Sequence, residues 1–373
     1  MKLAIISHTE HYKTTSGQIV GWGPTITEIN HLIQDFEAIY HLAYLHAEDP
    51  PPSALPYSSE HIHFIPLSPK GGKSWSDKLG ILMGIPETLG KVRRLVGDVD
   101  AIQFRAPTGM GVYLIPYLSG LKSPKVWFKY AGNWNQNQPP LGYALQRYWL
   151  KKQNRPVTIN GAWPEQPAHC FTFENPCLTQ AERKEGAAII AQKSYAAPFR
   201  FCFVGRLEDE KGVQRILDAF ADLPASAVVQ IDFIGNGVKR EQYEEQAQAQ
   251  QLPARFHGFL QREAVFECYR KAHFLLLPST ASEGFPKVIA EAMNYGCIPI
   301  VSGVSSIGQY IDEVNGFLVQ PTTAERLNQV LQEIINQETS NTLRAKAEKA
   351  YLSSENFTFE HYRKRIQKEI LRY

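Results

Sequence analysis

The sequence predicts an α/β protein of two domains, each a parallel sheet covered by helices. Three observations predict it. The chain has 373 residues, too many for one ordinary core and enough for two of about 150 to 200 residues each. From residue 199 onward, apolar runs of strand length alternate with helix-period segments, separated by Gly, Pro or Asn. From residue 2 onward the same alternation recurs less regularly. Strands that alternate with helices imply parallel neighbours, because a parallel pair needs a crossover connection.

In the first half, "KLAIIS" (2–7) is a strand, followed by a glycine-containing loop, "TTSGQIVGWGPT" (14–25), and a helix over about 26–36. "IHFIPL" (62–67), "DAIQFR" (100–105) and "KVWFKY" (125–130) are further strands, with helices around 77–96 and 110–120. The stretch 176–197, polar and alanine-rich after "FENPC", reads as a linker. The second half supplies six strands: "FRFCFVG" (199–205), "VVQIDFIG" (228–235), "RFHG" (255–258), "HFLLLP" (273–278), "CIPIVSG" (297–303) and "GFLV" (316–319). Between the first two, Val213, Ile216, Leu217 and Phe220 fall at i, i+3, i+4 and i+7 of a helix. Both halves are therefore expected to be Rossmann-like. The closing "ENFTFEHYRKRIQKEILRY" reads as a helix with Tyr362, Ile366 and Ile370 on one face. No short repeat or low-complexity tract stands out.

Composition narrows the partners. Thirty-nine Lys and Arg against 37 Asp and Glu give a net charge of +2, which offers no global reason to expect nucleic acid. Five cysteines, three of them inside apolar runs, read as reduced thiols of a cytoplasmic protein. The apolar stretch at the N-terminus is too short for a signal peptide, and no run of about 20 apolar residues occurs. The expected location is the cytoplasm, with peripheral contact at the inner membrane face as an option. Two basic-aromatic stretches raise that option, "KSWSDKLGILMGIPETLGKVRRLV" (73–96) and "QRYWLKKQNR" (146–155), since such patches hold proteins on anionic membranes.

The chemistry centres on "SEGFPKVIAEAMNYGCIPIVSG" (282–303). Pro286 suits the first turn of a helix, and Gly296 with Pro299 marks its end, giving a helix over about 286–295. Glu283 lies in the loop before it and Glu291 near its second turn. Free backbone N–H groups of Phe285, Lys287 and Val288, at the positive end of the helix dipole, suit a phosphate. The strand before the loop delivers it to the carboxyl edge of the sheet, where doubly wound proteins bind ligands. Carboxylates beside an anion site make sense if they accept hydrogen bonds from sugar hydroxyls, and a nucleotide-sugar carries hydroxyls on both sides of a diphosphate. The plainer alternative is that the helix dipole alone favours acids there. In "GRLEDEKG", Arg206 and Lys211 open the first helix of the same half, and two fixed cations can stabilise a departing diphosphate. The plainer alternative for them is a solvated loop beside Glu208, Asp209 and Glu210.

In chain order, "GRLEDEKG", "IGNG" (234–237), "FHGFL" (256–260), "LLLPSTASEGFPKVIAEAMNYGCIPIVSG" and "NGFLV" (315–319) resemble the donor half of retaining glycosyltransferases of family four. The Glu-x7-Glu arrangement with its Gly-Phe-Pro turn is the specific part. The resemblance covers about residues 199 to 320, and the N-terminal half matches in outline. It implies the GT-B fold: two Rossmann-like domains facing across a cleft, with the C-terminal helix crossing back to the N-terminal domain. The domains would be 1–175 plus 355–373 for the acceptor and 198–352 for the donor, with 176–197 between them. It also implies that Arg206 and Lys211 bind the diphosphate, that Glu283 holds the transferred sugar and that Glu291 holds the ribose. The backbone of Gly284, Phe285, Pro286, Lys287 and Val288 would line the sugar and phosphate pocket, and main-chain groups near Gly258, Phe259 and Leu260 would meet the base. Gly235 belongs to the "IGNG" turn on the same edge. Many members carry a histidine after the strand matching "KVWFKY", where this chain has Ala131, Gly132, Asn133 and Trp134. Asn133 is the candidate there to touch donor or acceptor, or it is a turn residue. Gly21 and Gly23 would allow close approach of a phosphate or acceptor.

Other signals carry less. "DVD" (98–100) reads as a structural turn, "HIH" (61–63) as a solvent face, and Cys170 with Cys177 lacks the second pair a zinc site needs. The expected function is a retaining, metal-independent glycosyltransferase with no cofactor. It would use a UDP- or GDP-linked sugar and an acceptor hydroxyl in polysaccharide or glycolipid synthesis. The alternatives are a non-catalytic nucleotide-sugar binding subunit, a glycoside phosphorylase or synthase on the same scaffold, and a Rossmann oxidoreductase supported only by "IGNG".

Overall fold

The computed structural model describes residues 1–69 and 75–372, with the side chains of residues 75–82 left aside. Two compact units are present: Met1–Asn175 with Tyr362–Tyr373, and Pro176–His361.

The first unit holds strands β1 (Lys2–Lys13), β2 (Ile19–Trp22), β3 (Ala38–Leu45), β4 (Ala54–Pro56), β5 (Ile62–Leu67), β6 (Ala101–Ala106), β7 (Lys125–Tyr130), β8 (Val157–Ile159) and β9 (Cys170–Thr172). Its helices are α1 (Gly23–Leu32), α2 (Trp75–Asp98), α3 (Gly111–Ser119) and α4 (Leu141–Lys152). Strand β1 runs parallel to β3 on one side and β6 on the other, and β5 and β7–β9 extend the sheet in parallel. Fully buried runs such as Leu3–Ile6 and Ala101–Ala106 are what a sheet covered on both faces demands.

The glycine loop proves to be a hairpin. Strand β1 continues past an irregularity between Ile6 and Glu10, then pairs antiparallel with β2, His11 opposite Gly21. A Cβ on Gly21 would lie 2.5 Å from the His11 ring, and one on Gly23 would lie 2.6 Å from the Ser53 carbonyl. Both glycines thus serve close protein packing. The irregularity is held by a buried polar chain. Ser7 Oγ is 2.8 Å from His41 Nε2, His41 Nδ1 is 2.8 Å from the Tyr57 hydroxyl, and His11 Nε2 meets that hydroxyl at 2.8 Å. His11 Nδ1 completes the chain 3.0 Å from the Thr9 carbonyl. A second buried group joins Glu28 of α1 to Lys129 of β7 at 2.7 Å and to Arg105 of β6 at 2.9 Å.

The second unit holds β10 (Phe199–Val204), β11 (Val228–Ile234), β12 (Ala254–Gly258), β13 (Phe274–Leu277), β14 (Ile298–Val301) and β15 (Phe317–Leu318). They form one parallel sheet in the order β12-β11-β10-β13-β14-β15. Its helices are α5 (Gln180–Gln192), α6 (Val213–Phe220), α7 (Arg240–Ala249), α8 (Arg262–Lys271), α9 (Lys287–Asn294), α10 (Ala324–Gln337) and α11 (Ser340–Ser353). A large aromatic core, including Phe201, Phe203, Phe233, Phe266 and Phe274, joins the layers.

The stretch 176–197 is not a linker: most of it is α5, an integral helix of this unit. Thr179 and Glu182 form a capping box at its start. Arg183 reaches the Asn294 side chain at 3.0 Å and Ser354 at 2.8 Å, and the Lys193 ammonium donates to the carbonyls of Tyr269, Ala272 and Tyr295. Small and polar residues make these contacts, so no apolar stripe announces the helix. The chain closes with α12 (Phe359–Arg365), continued by a wider turn over Ile366–Leu371. Tyr362, Ile366 and Ile370 are buried with Leu3, Ile5 and Trp127 of the first unit, and Arg363 pairs with Asp35 at 2.7 Å. Residues 355–361, including the first turn of α12, belong to the second unit, which moves the expected boundary at 355 to 362.

Asp100 accepts from the Lys2 amide at 2.7 Å, His61 and His63 are exposed, and all five cysteines are free. Lys73 and Ser74 of the first basic-aromatic stretch lie outside the described residues. Among those described, no helix is long and apolar enough to cross a membrane.

Candidate active site

The second sheet changes direction of winding between β10 and β13, because β11 and β12 lie on one side of β10 and β13–β15 on the other. Loops diverge at such a point and leave a crevice at the carboxyl ends of the strands. The loops after β10 and β13 are stitched together there. Glu210 offers its carbonyl to the Thr280 amide at 2.8 Å and to the Ser279 hydroxyl at 3.1 Å. Gly212 adopts a φ of +96°, and a Cβ on it would lie 2.4 Å from the Pro278 carbonyl. A side chain would prise the loops apart.

This stitching brings Lys211 to Glu283. The ammonium donates directly to Glu283 Oε1; the lysine side chain is 14% exposed and the glutamate 38%. The loops after β11 and β12 press in beside them. Gly235, with φ +133°, donates its amide to the Gly258 carbonyl at 2.8 Å, and its own Cβ position is 1.9 Å from the Gly205 carbonyl. Gly258 also has a positive φ, +70°. Beyond it Phe259 is exposed, while Leu260 packs on the core. Four strand ends thus present mostly backbone, which suits hydrogen bonding to a flat or anionic ligand.

Helix α9 begins at Lys287, with Pro286 as its cap residue and no side chain capping it. Pro286 therefore stands one position earlier than the first helical turn expected for it. Gly284 is buried, and Val288 is half-buried against the core. The Phe285 side chain is 4% exposed and packs on Phe357 and Tyr310, so only its backbone is available to a ligand. Burial raises the Glu291 carboxyl pKa, against the opposing pull of Arg262 and Lys287. Arg262, absent from the sequence reading, is held by Glu182 and by the Cys177 carbonyl. The signal for it could only be spatial, since 29 residues separate it from Glu291 in the sequence.

Two expected residues make local contacts within their own loops. Arg206 is 71% exposed and pairs with Glu208 of its own loop at 3.1 Å. Asn133, in the first unit, accepts from the Asn135 amide at 3.0 Å, the pattern of a turn residue.

The Anabaena protein HepE, solved in complex with UDP and glucose, matches with a TM-score of 0.69 at 15% identity, over 98% of each chain. Sucrose-phosphate synthase from Thermosynechococcus elongatus matches with 0.70 at 17% identity, over 98% of this chain and 97% of that one. The fold is GT-B. The lipopolysaccharide outer core galactosyltransferase WaaB shares it, with a TM-score of 0.68 at 18% identity, over 100% of this chain and 99% of that one. Residues 188–351 match the family model for glycosyl transferases, group 1. Within this GT-B chain, 130 residues are 30% identical to an uncharacterized glycosyltransferase of Methanocaldococcus jannaschii. That match spans 34% of this chain and 33%, about a third, of the relative's length. The group 1 match begins inside α5 and contains Arg206, Lys211, Glu283 and Glu291.

Proposed function

We propose that this GT-B protein transfers a sugar from a nucleoside diphosphate donor to an acceptor hydroxyl, with retention of the anomeric configuration and no bound metal. The observation that carries the reading is the Lys211–Glu283 pair at the winding reversal of the second sheet, beside the uncapped start of α9. In this reading the donor diphosphate lies against the α9 amides and the Lys211 ammonium, and Glu283 accepts hydrogen bonds from the transferred sugar. Glu291 takes the ribose hydroxyls. The bond from the anomeric carbon to the diphosphate breaks, and the acceptor oxygen bonds to the same face. The acceptor proton passes to the departing phosphate oxygen, so no side-chain base is required. Lys211 and the α9 dipole stabilise the charge that grows on the leaving group, and Arg206 joins them on exchanging Glu208 for the diphosphate. The UDP held by HepE supports a uridine donor, and the likeness to the lipopolysaccharide outer core galactosyltransferase WaaB supports a carbohydrate acceptor.

The test is thermal-shift and calorimetric titration with UDP, GDP and ADP and their common sugar conjugates, with and without EDTA. One nucleotide should bind with equal affinity in chelator. Binding that vanishes in EDTA overturns the metal-free part of the reading, and no binding to any nucleotide overturns all of it. Donor binding without turnover on any acceptor would favour a non-catalytic binding subunit.

A further inference from the structure

Helix α4 is amphipathic the wrong way round. Leu141, Leu145 and Tyr148 follow at i, i+4 and i+7, one face of the helix, and they are 90%, 38% and 56% exposed. The opposite face carries the buried Leu150 and Gln146, the latter occupied by hydrogen bonds to Thr108. Val112 of α3, itself exposed, lies 3.9 Å from the Cβ position of Gly142 and widens the apolar strip.

Charge says what covers this strip. The whole chain is nearly balanced, yet no Asp or Glu occurs between Asp100 and Glu165, a stretch that holds eight Lys or Arg, of which Arg105 and Lys129 are buried against Glu28. Lys151 and Lys152 are exposed in the last turn of α4, next to the apolar strip. Just beyond, Arg155 and Arg372 line a recess with His169 and Phe171. A protein partner with an ordinary mixed surface does not call for such one-sided charge. An interface that is apolar within and anionic outside does, and that is the profile of a bilayer rich in acidic lipid.

We propose that the α4 face is a docking surface for an anionic lipid bilayer. Leu141, Leu145 and Tyr148 enter the headgroup region, and Lys151 and Lys152 meet lipid phosphates. The inference goes beyond the donor chemistry proposed above and does not depend on it.

The experiment is co-sedimentation of the full chain with vesicles of phosphatidylcholine alone, or mixed with phosphatidylglycerol. Binding is expected to the mixed vesicles at low salt, to weaken at about 0.5 M salt where the screening length falls to a few ångströms, and to be absent on phosphatidylcholine. Neutralising both amines with Lys151→Gln and Lys152→Gln should lower partitioning about 30-fold, from roughly 1 kcal/mol per basic residue. Leu141→Asp with Tyr148→Ser should lower it at least as much while leaving the melting temperature unchanged, since both side chains are exposed. Equal binding to both vesicle types, no binding to either, or variants that bind like the parent would each overturn the proposal. So would a concentration-dependent dimer that Leu141→Asp dissolves, because the strip would then belong to a second copy.

Discussion

The Lys211 ammonium and the Glu283 carboxylate form an ion pair across two loops that are 72 residues apart in sequence. Each lies in the loop that follows its strand, and β10 and β13 are hydrogen-bonded neighbours, Phe201 opposite Phe274. The pair joins the two chemistries that a nucleotide-sugar needs at one point, a cation for phosphate and a carboxylate for hydroxyls. Replacing Lys211 with Ala should lower kcat for sugar transfer about 100-fold or more, as loss of one preorganised charge-stabilising donor does elsewhere. Glu283→Gln should act similarly on kcat while leaving UDP affinity within a few-fold of the parent. Near-normal turnover in both variants, measured by nucleotide release, would defeat the assignment.

Glu291 sets function against stability. Burial raises its folded-state pKa above the unfolded value, so its protonated form is the one folding favours. The stability linked to it is complete below the unfolded pKa and is lost as pH rises through the folded one. Glu291→Gln should therefore raise the melting temperature relative to the parent at pH 8 and by less at pH 4. The same change should weaken nucleotide binding, because an amide accepts ribose hydroxyls less well than a carboxylate. A melting-temperature difference that is flat with pH would count against this account.

His11 predicts an acid limit in the first unit. Burial, only partly opposed by the Thr9 and Tyr44 carbonyls, pushes its imidazole down to about 4, and His41 is lowered too, by burial and by the neighbouring His11 and Arg105. A depressed histidine stabilises the fold fully above its unfolded pKa, and that contribution is lost as pH falls towards the folded value. Stability should drop between about pH 6.5 and 4, by roughly 3 kcal/mol from His11 alone. Urea titrations at half-unit pH steps measure this, and an unchanged midpoint across that window would refute it.

Lys193 tests the reassignment of the supposed linker. Lys193 is 9% exposed, and its ammonium donates to three main-chain carbonyls, two of them close to the end of α8 and one just past α9. Lys193→Met keeps most of the apolar stem and leaves those acceptors without their donor. A loss of about 2 to 4 kcal/mol in unfolding free energy is expected. A variant as stable as the parent would return this segment to the status of a tether.

The sequence by itself determined the parallel-sheet character of both units and the six strands of the second one, because buried β-strands and amphipathic helices write their periods into the chain. It also marked Glu283, in the loop before α9, and Glu291, within that helix, as candidates, because a Gly-Phe-Pro turn ahead of a helix is a local signal. Tertiary structure alone decided which of the candidates meet. Lys211 finds Glu283 only because the sheet order makes β13 the neighbour of β10, while Arg206, five residues earlier, stays outside with Glu208. The glycines at 21 and 23 were legible as close approaches, but that the approaching atoms belong to His11 and Ser53 depends on how β1 extends into a hairpin. Helix α5 and strand β3 were illegible for a related reason: Arg183, Lys193 and His41 are polar residues that can be buried only where distant groups satisfy their hydrogen bonds. Partners so far away in sequence leave no period to read, and only the folded chain brings them within reach.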